Sequence, residues 1–294
     1  MLSEIFKLFW KTVERKDERR INSQTPPTEI EQFCDIQYID DGLWQHRLDV
    51  YSKSGKLSHR PVIIDIHGGG WMYGTKEINK NYCLVLAQND YVVVNINYRL
   101  APDFSVVDQL RDCFFAFKWV STNIEKYGGD LNNVFVTGDS AGGFLAAYSA
   151  LLNSSEKLRK IFGVTESGLE FRACGLTSPV CFMNTHTFRV KGKEFSESTL
   201  RGFENFDAVL NKGSMPPTFL VTSSGDDVGR LPTIKMYNLL CGEGVKCKLE
   251  NRDKYNGKNL PHVFSVIDPF SVPGKETISD MLGFFSDYAK SRCK

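Results

Sequence analysis

Gly138-Asp139-Ser140-Ala141-Gly142-Gly143 follows directly on the apolar run Asn133-Val134-Phe135-Val136-Thr137. A serine between glycines at the end of a buried strand demands a sharp turn into a helix. That elbow forces the serine into a strained backbone and lifts its hydroxyl above the sheet edge. It also sets the serine at a helix N-terminus, where free N–H groups and the helix dipole favour developing negative charge. By chance the bare G-x-S-x-G pattern arises about once in ten chains of this length. Its context makes it specific.

Upstream, Pro61-Val62-Ile63-Ile64-Asp65-Ile66 reads as a buried strand running into His67-Gly68-Gly69-Gly70-Trp71. Three glycines after a strand let the main chain approach a ligand with its amides turned inward. Joined by the N–H of Ala141, the residue after the serine, such amides form an oxyanion hole. Trp71, Met72 and Tyr73, beside this loop, are candidate pocket walls, although aromatic residues here also suit a core.

Where a G-x-S-x-G elbow carries the nucleophile, the remaining triad members follow in the order serine, acid, histidine. Only His186 and His262 lie beyond Ser140. His186 precedes every plausible acid loop. His262 follows a Gly/Asn/Lys-rich loop and a proline, just before the last helical segment, and is the candidate base. The acid falls after the strand-like run Pro217 to Thr222, in Ser223-Ser224-Gly225-Asp226-Asp227-Val228, where Asp226 and Asp227 both qualify. Either could accept a hydrogen bond from the histidine Nδ1–H and stabilise its charged form.

The rest of the chain alternates strand and helix, with no internal repeat. Strands are expected at Cys34–Ile39, Gln45–Tyr51, Pro61–Ile66, Tyr91–Asn97, Asn133–Thr137, Arg172–Thr177, Thr218–Thr222 and Lys246–Glu250. Helices are expected near 77–88, 105–126, 141–153, 230–243 and 275–290. This alternation predicts an α/β fold, a mostly parallel eight-stranded sheet covered by helices on both faces with antiparallel strands at its start. At 294 residues the chain suits one large domain.

Composition narrows the function. A formal charge of +1 with no dense basic run argues against nucleic-acid binding. Eight cysteines are scattered without a C-x-x-C pair or metal-ligand spacing, so no metal is expected. No apolar run reaches transmembrane length, so stable membrane insertion is not expected. The stretch from Leu2 to Trp10 is short and interrupted by Glu4 and Lys7, unlike a signal peptide. A reducing, cytoplasmic setting is the simplest expectation.

Leu2, Ile5, Phe6, Phe9, Trp10 and Val13 fall on one face of an N-terminal helix. Three roles compete for that face: a membrane-surface contact, a contact with a second copy in a homodimer, or a lid over the site. The polar stretch from Asn22 to Pro27 reads as a hinge. His46 and His59 read as structural or exposed, and Asp112 as a salt-bridge or capping residue.

His67-Gly68-Gly69-Gly70-Trp71, Tyr98-Arg99-Leu100-Ala101-Pro102, Gly138-Asp139-Ser140-Ala141-Gly142-Gly143 and Pro261-His262-Val263-Phe264 together resemble the hormone-sensitive-lipase-like carboxylesterases of the α/β-hydrolase superfamily, across roughly residues 35–290. The resemblance implies a serine esterase of short-acyl esters with Ser140, Asp226 and His262 as its triad and no cofactor. It implies Gly69, Gly70 and Ala141 as oxyanion donors, with His67 shaping the loop beneath them rather than acting as base. It favours Asp226, because Asp226-Asp227-Val228 keeps the family register, although the family's following proline and leucine are missing. It also favours the lid for the N-terminal helix, with cap elements from about 1–30 and about 184–213. An amidase or arylformamidase could use the same groups, and a non-catalytic small-molecule receptor could use the same fold. A large-lipid lipase is the weaker alternative, since no long apolar loop is evident.

Overall fold

The structure is a computed structural model that describes residues 2–55, 59–101, 103–182, 206–210 and 213–291. Eight strands form one sheet: β1 (Ile30–Gln37), β2 (Arg47–Lys53), β3 (Arg60–Ile66), β4 (Val92–Ile96), β5 (Gly129–Asp139), β6 (Phe171–Thr177), β7 (Thr218–Ser223) and β8 (Cys247–Arg252). Their spatial order is β1-β2-β4-β3-β5-β6-β7-β8. The pairs β1/β2 and β2/β4 are antiparallel, and the others are parallel. All eight expected strands are present, with the antiparallel pairs at the start of the chain.

The helices are α1 (Leu2–Ser23), α2 (Lys80–Gln88), α3 (Val106–Asn123), α4 (Ala141–Ser154), α5 (Glu156–Phe162), α6 (Phe206–Leu210), α7 (Arg230–Gly242), α8 (Phe264–Ile267) and α9 (Val272–Tyr288). The central strands alternate their buried residues between two cores, as a sheet covered on both faces requires. Val62, Ile64, Val94, Val134 and Val136 pack under α3 and α4. Ile63, Val93 and Phe135 face α2 and α9, where Phe135 stacks on Phe285 with ring centroids 4.5 Å apart.

This topology brings loops from the C-terminal ends of β3, β5, β7 and β8 to one edge, where an α/β sheet presents a ligand site. Among the described residues, no helix is long and apolar enough to cross a membrane. The seven described cysteines are free thiols. Most of the expected cap segment 184–213 lies outside the described residues, which retain only 206–210 and Gly213 of it.

Candidate active site

Ser140 follows the last residue of β5 and precedes α4, with φ 52° and ψ −114°. This is strained for a side-chain-bearing residue, and packing must over-determine it. Packing does. The Ser140 N–H donates to the Thr177 carbonyl at 2.9 Å, and the Ser140 carbonyl accepts from Phe144 and Val180 N–H. Gly142 is required because a Cβ there would collide with the Ile66 carbonyl of the neighbouring strand.

His262 lies 122 residues further on, yet its Nε2 is 2.9 Å from Ser140 Oγ. Its Nδ1 is 2.7 Å from Asp226 Oδ1. A carboxylate acceptor puts the proton on Nδ1 and leaves Nε2 to face the hydroxyl. Val263, next to the imidazole, has φ 50°, a strained value for a β-branched residue. It turns the chain so that α8 begins two residues after the histidine.

Asp226 is buried and its neighbour Asp227 is exposed. Oδ1 of Asp226 accepts from Gly229 N at 2.6 Å and Val228 N at 3.2 Å, and Oδ2 accepts from Thr222 Oγ1 at 3.1 Å. Burial alone would raise its pKa. The hydrogen bond and charge of His262, with donors at Ser178 and the Gly229 amide, lower it to about 2. The structure thus brings Ser140, His262 and Asp226 into one hydrogen-bonded line and leaves Asp227 outside it.

The glycine loop after β3 has Gly69 at φ 114° and Gly70 at φ 58°. A Cβ on Gly69 would collide with the Tyr73 carbonyl, so the loop cannot tighten this way around any other residue. His67 is fully buried, and burial lowers its pKa to about 4, so its imidazole is neutral near pH 7. Its Nδ1 lies 2.7 Å from the Gly68 carbonyl, and its ring stacks on Tyr98 at 4.3 Å. Tyr98 OH donates to the His67 carbonyl at 2.7 Å. His67 is a buttress of the loop.

The three residues after the glycines part company. Trp71 is buried edge-on against Phe144, and its carbonyl accepts from Gln109 Nε2 and Ala101 N. Met72 and Tyr73 line a cavity of about 340 Å³ between the loop and α1. Trp71, Ser140, Ser178 and Val263 are four of the seven described non-glycine residues with positive φ. Backbone strain therefore concentrates around this site, as at functional centres. Ser178 and Val263 carried no sequence signal, because neither is a residue type that marks left-handed backbone.

Asp112, on α3, receives both the Arg99 guanidinium and the Arg99 N–H. It also faces the buried His46, whose Nε2 lies 3.2 Å from Oδ1, while His46 Nδ1 is 2.6 Å from Asp41. Asp112 is a salt-bridge residue away from the triad. His186 lies outside the described residues.

Comparison with known proteins follows this geometry. The BD-FAE family model matches residues 48–175. The versiconal hemiacetal acetate esterase of Dothistroma septosporum is 36% identical over 38% of this chain and 33% of its own length. The carboxylesterase NlhH of Mycobacterium tuberculosis is 34% identical over 38% of this chain and 35% of its own. The chain thus spans about a third of the length of these curated relatives. Esterase B of Lactobacillus rhamnosus superposes with a TM-score of 0.85 at 27% identity, covering 98% of this chain and 95% of that one. It has also been solved inhibited with a C4-C4 SN3 tributyrin phosphonate.

Fold and site together define an α/β-hydrolase. Within that superfamily, the proteins this chain resembles are esterases, the carboxylesterase NlhH and esterase B among them.

Proposed function

We propose that this chain is a serine carboxylesterase that hydrolyses short-acyl esters through an acyl-enzyme intermediate. The observation that carries this reading is the unbroken line from Asp226 Oδ1 through His262 to Ser140 Oγ, with contacts of 2.7 and 2.9 Å. Both distances lie within the reach that proton transfer needs.

His262 takes the hydroxyl proton as Ser140 Oγ attacks the ester carbonyl carbon. Asp226 stabilises the imidazolium and holds its orientation. The N–H groups of Gly69, Gly70 and Ala141 receive the oxyanion of the tetrahedral intermediate, each such donor being worth about 3–4 kcal/mol in the transition state. Collapse expels the alcohol, which takes its proton from His262. Water then attacks the acyl-serine by the same route, with His262 as base. Serine, histidine, carboxylate and amides complete this chemistry without a cofactor.

A short acyl group is supported by the tributyrin phosphonate held by esterase B, whose overall shape this chain shares. We read the chain as one catalytic domain over 1–294 with cap elements from about 1–30 and 184–213. Trp71, Met72 and Tyr73 are assigned to the walls beside the oxyanion loop. The partner is a small-molecule ester, and free thiols support a reducing, cytoplasmic setting.

The test is labelling with a fluorophosphonate, followed by turnover of p-nitrophenyl esters from acetate to octanoate and of a matched anilide. Labelling that disappears in Ser140→Ala, with butyrate favoured over octanoate and anilide, is the expected result. An unlabelled wild-type chain that binds esters without turnover would make it a receptor instead. Preferred anilide cleavage would make it an amidase.

A further inference from the structure

Beneath the glycine loop lies a buried polar cluster that the triad does not use. Asp65 and Asp139 occupy the C-terminal ends of β3 and β5 and are 1% and 5% exposed. Asp65 is in register with Thr137, so Asp65, Thr137 and Asp139 face the same side of the sheet, toward α2. Two acids in one dry pocket need a donor between them. Asn79 supplies it, its Nδ2 donating to Asp65 Oδ2 at 2.9 Å and to Asp139 Oδ1 at 2.8 Å. Asp139 Oδ1 also accepts the Gly68 N–H at 3.0 Å. At the other end, Asp65 accepts from Thr137 Oγ1 at 2.7 Å and from Cys83 Sγ at 3.6 Å.

Asn79 sits at the N-cap of α2, where an asparagine side chain ordinarily accepts a hydrogen bond from the first-turn amides. Here it makes no such bond. An asparagine that leaves its own helix uncapped in order to reach two buried carboxylates is a conflict between local preference and global arrangement, and such conflicts gather at functional sites.

The consequence runs to the reacting atoms. Asp139 is bonded to Ser140 in the chain, and its side chain holds Gly68, which precedes Gly69 and Gly70. The position of the oxyanion loop relative to the nucleophile therefore depends on how firmly Asp139 is held. Burial and the nearby Asp139 charge raise the pKa of Asp65 to about 7, so the two acids resist ionising together.

We propose that Asn79 is a positioning residue for ester hydrolysis: its side-chain amide holds Asp139 against the Gly68 N–H and so sets the oxyanion loop relative to Ser140. This rests on the esterase reading above.

The experiment compares wild type, Asn79→Leu, Asn79→Ala and Thr137→Val by kcat and KM on p-nitrophenyl butyrate, by fluorophosphonate labelling and by thermal unfolding. Both Asn79 variants should lose about tenfold to a hundredfold in kcat with little change in KM, because a displaced oxyanion loop costs chiefly in the transition state. Thr137→Val removes a donor from Asp65 alone, so it should lower Tm while keeping kcat. The alanine variant leaves room for water and carries the comparison if leucine prevents folding. An active wild type with full kcat in the Asn79 variants would remove the brace and leave the esterase. So would a Thr137→Val variant slowed as much as they are. A wild type that neither turns over nor is labelled would overturn the esterase reading and the brace together.

Discussion

Trp10 of α1 lies flat on Tyr73, their ring centroids 5.2 Å apart and their planes 12° apart. The same indole would come within 3.1 Å of a Cβ placed on Gly70, so it rests on the glycine loop itself. The N-terminal helix therefore forms part of the surroundings of the nucleophile, although its residues are the most distant from the triad in sequence.

Trp10→Ala should widen the space beside the loop. The ratio of kcat/KM for p-nitrophenyl octanoate over butyrate should rise by about tenfold, a shift of the size that a methylene or two is worth in an apolar pocket. An acyl-length profile superimposable on that of the wild type would show that the stack has no part in specificity.

Arg20 fastens the other half of α1. Its Nη1 donates to the Ile267 carbonyl at 3.1 Å and its Nη2 to the Ile78 carbonyl at 3.0 Å, while Nε bonds Asp17 at 3.0 Å. One guanidinium thereby joins the short turn after the glycine loop to α8, which follows His262. Arg20→Ala should cost about 1–3 kcal/mol, since the charge-assisted bonds are partly screened by solvent. Arg20→Lys should recover only part of this, because a single ammonium lacks the fork. The checks are thermal unfolding and limited proteolysis of the segment before residue 25, which should be cleaved faster in the alanine variant.

The two adjacent aspartates should separate cleanly. Asp226→Asn should lower kcat by about 10³–10⁴-fold with the fold retained, because an amide at this position favours the wrong histidine tautomer. Asp227→Asn should leave kcat unchanged, since that side chain is exposed. Equal losses in the two variants would contradict the geometry around His262.

The buried His46 gives a pH signature. Burial alone would lower its pKa, but the hydrogen bonds and charges of Asp112 and Asp41 raise it above the usual histidine value. A raised pKa in the folded state means that protonated His46 stabilises the fold fully below about pH 6.5, the unfolded value. That contribution is lost as pH rises through the folded value. Replacement by glutamine should therefore flatten the decline in stability that begins above about pH 6.5, measured by urea unfolding at each pH. An identical pH slope in His46→Gln would exclude the imidazole as its source.

Much of this protein was legible in one dimension. The central strands of the sheet announced themselves, because a doubly covered strand is a short apolar run bounded by polar residues, and that pattern survives whatever packs on it. The serine elbow and the glycine loop were legible for a related reason. Each needs glycine at particular backbone positions, and few other residues can stand in. Chain order then left His262 as the histidine beyond a plausible acid, and the structure brings it to Ser140.

Other features depended on contacts between distant segments. Asp226 and Asp227 are chemically identical neighbours, and only the path of the chain after β7 decides which is buried against His262. The face of α1 was evident, but its seat on Tyr73 and Gly70 was not, because an amphipathic stripe records that something is covered without saying by what. Nothing in the sequence singles out Asn79, and its turn toward two buried acids depends on strands 14 and 60 residues away in the chain. Periodicity and glycine placement are written locally. The choice among equivalent polar groups is made by burial, which exists only once the chain has folded.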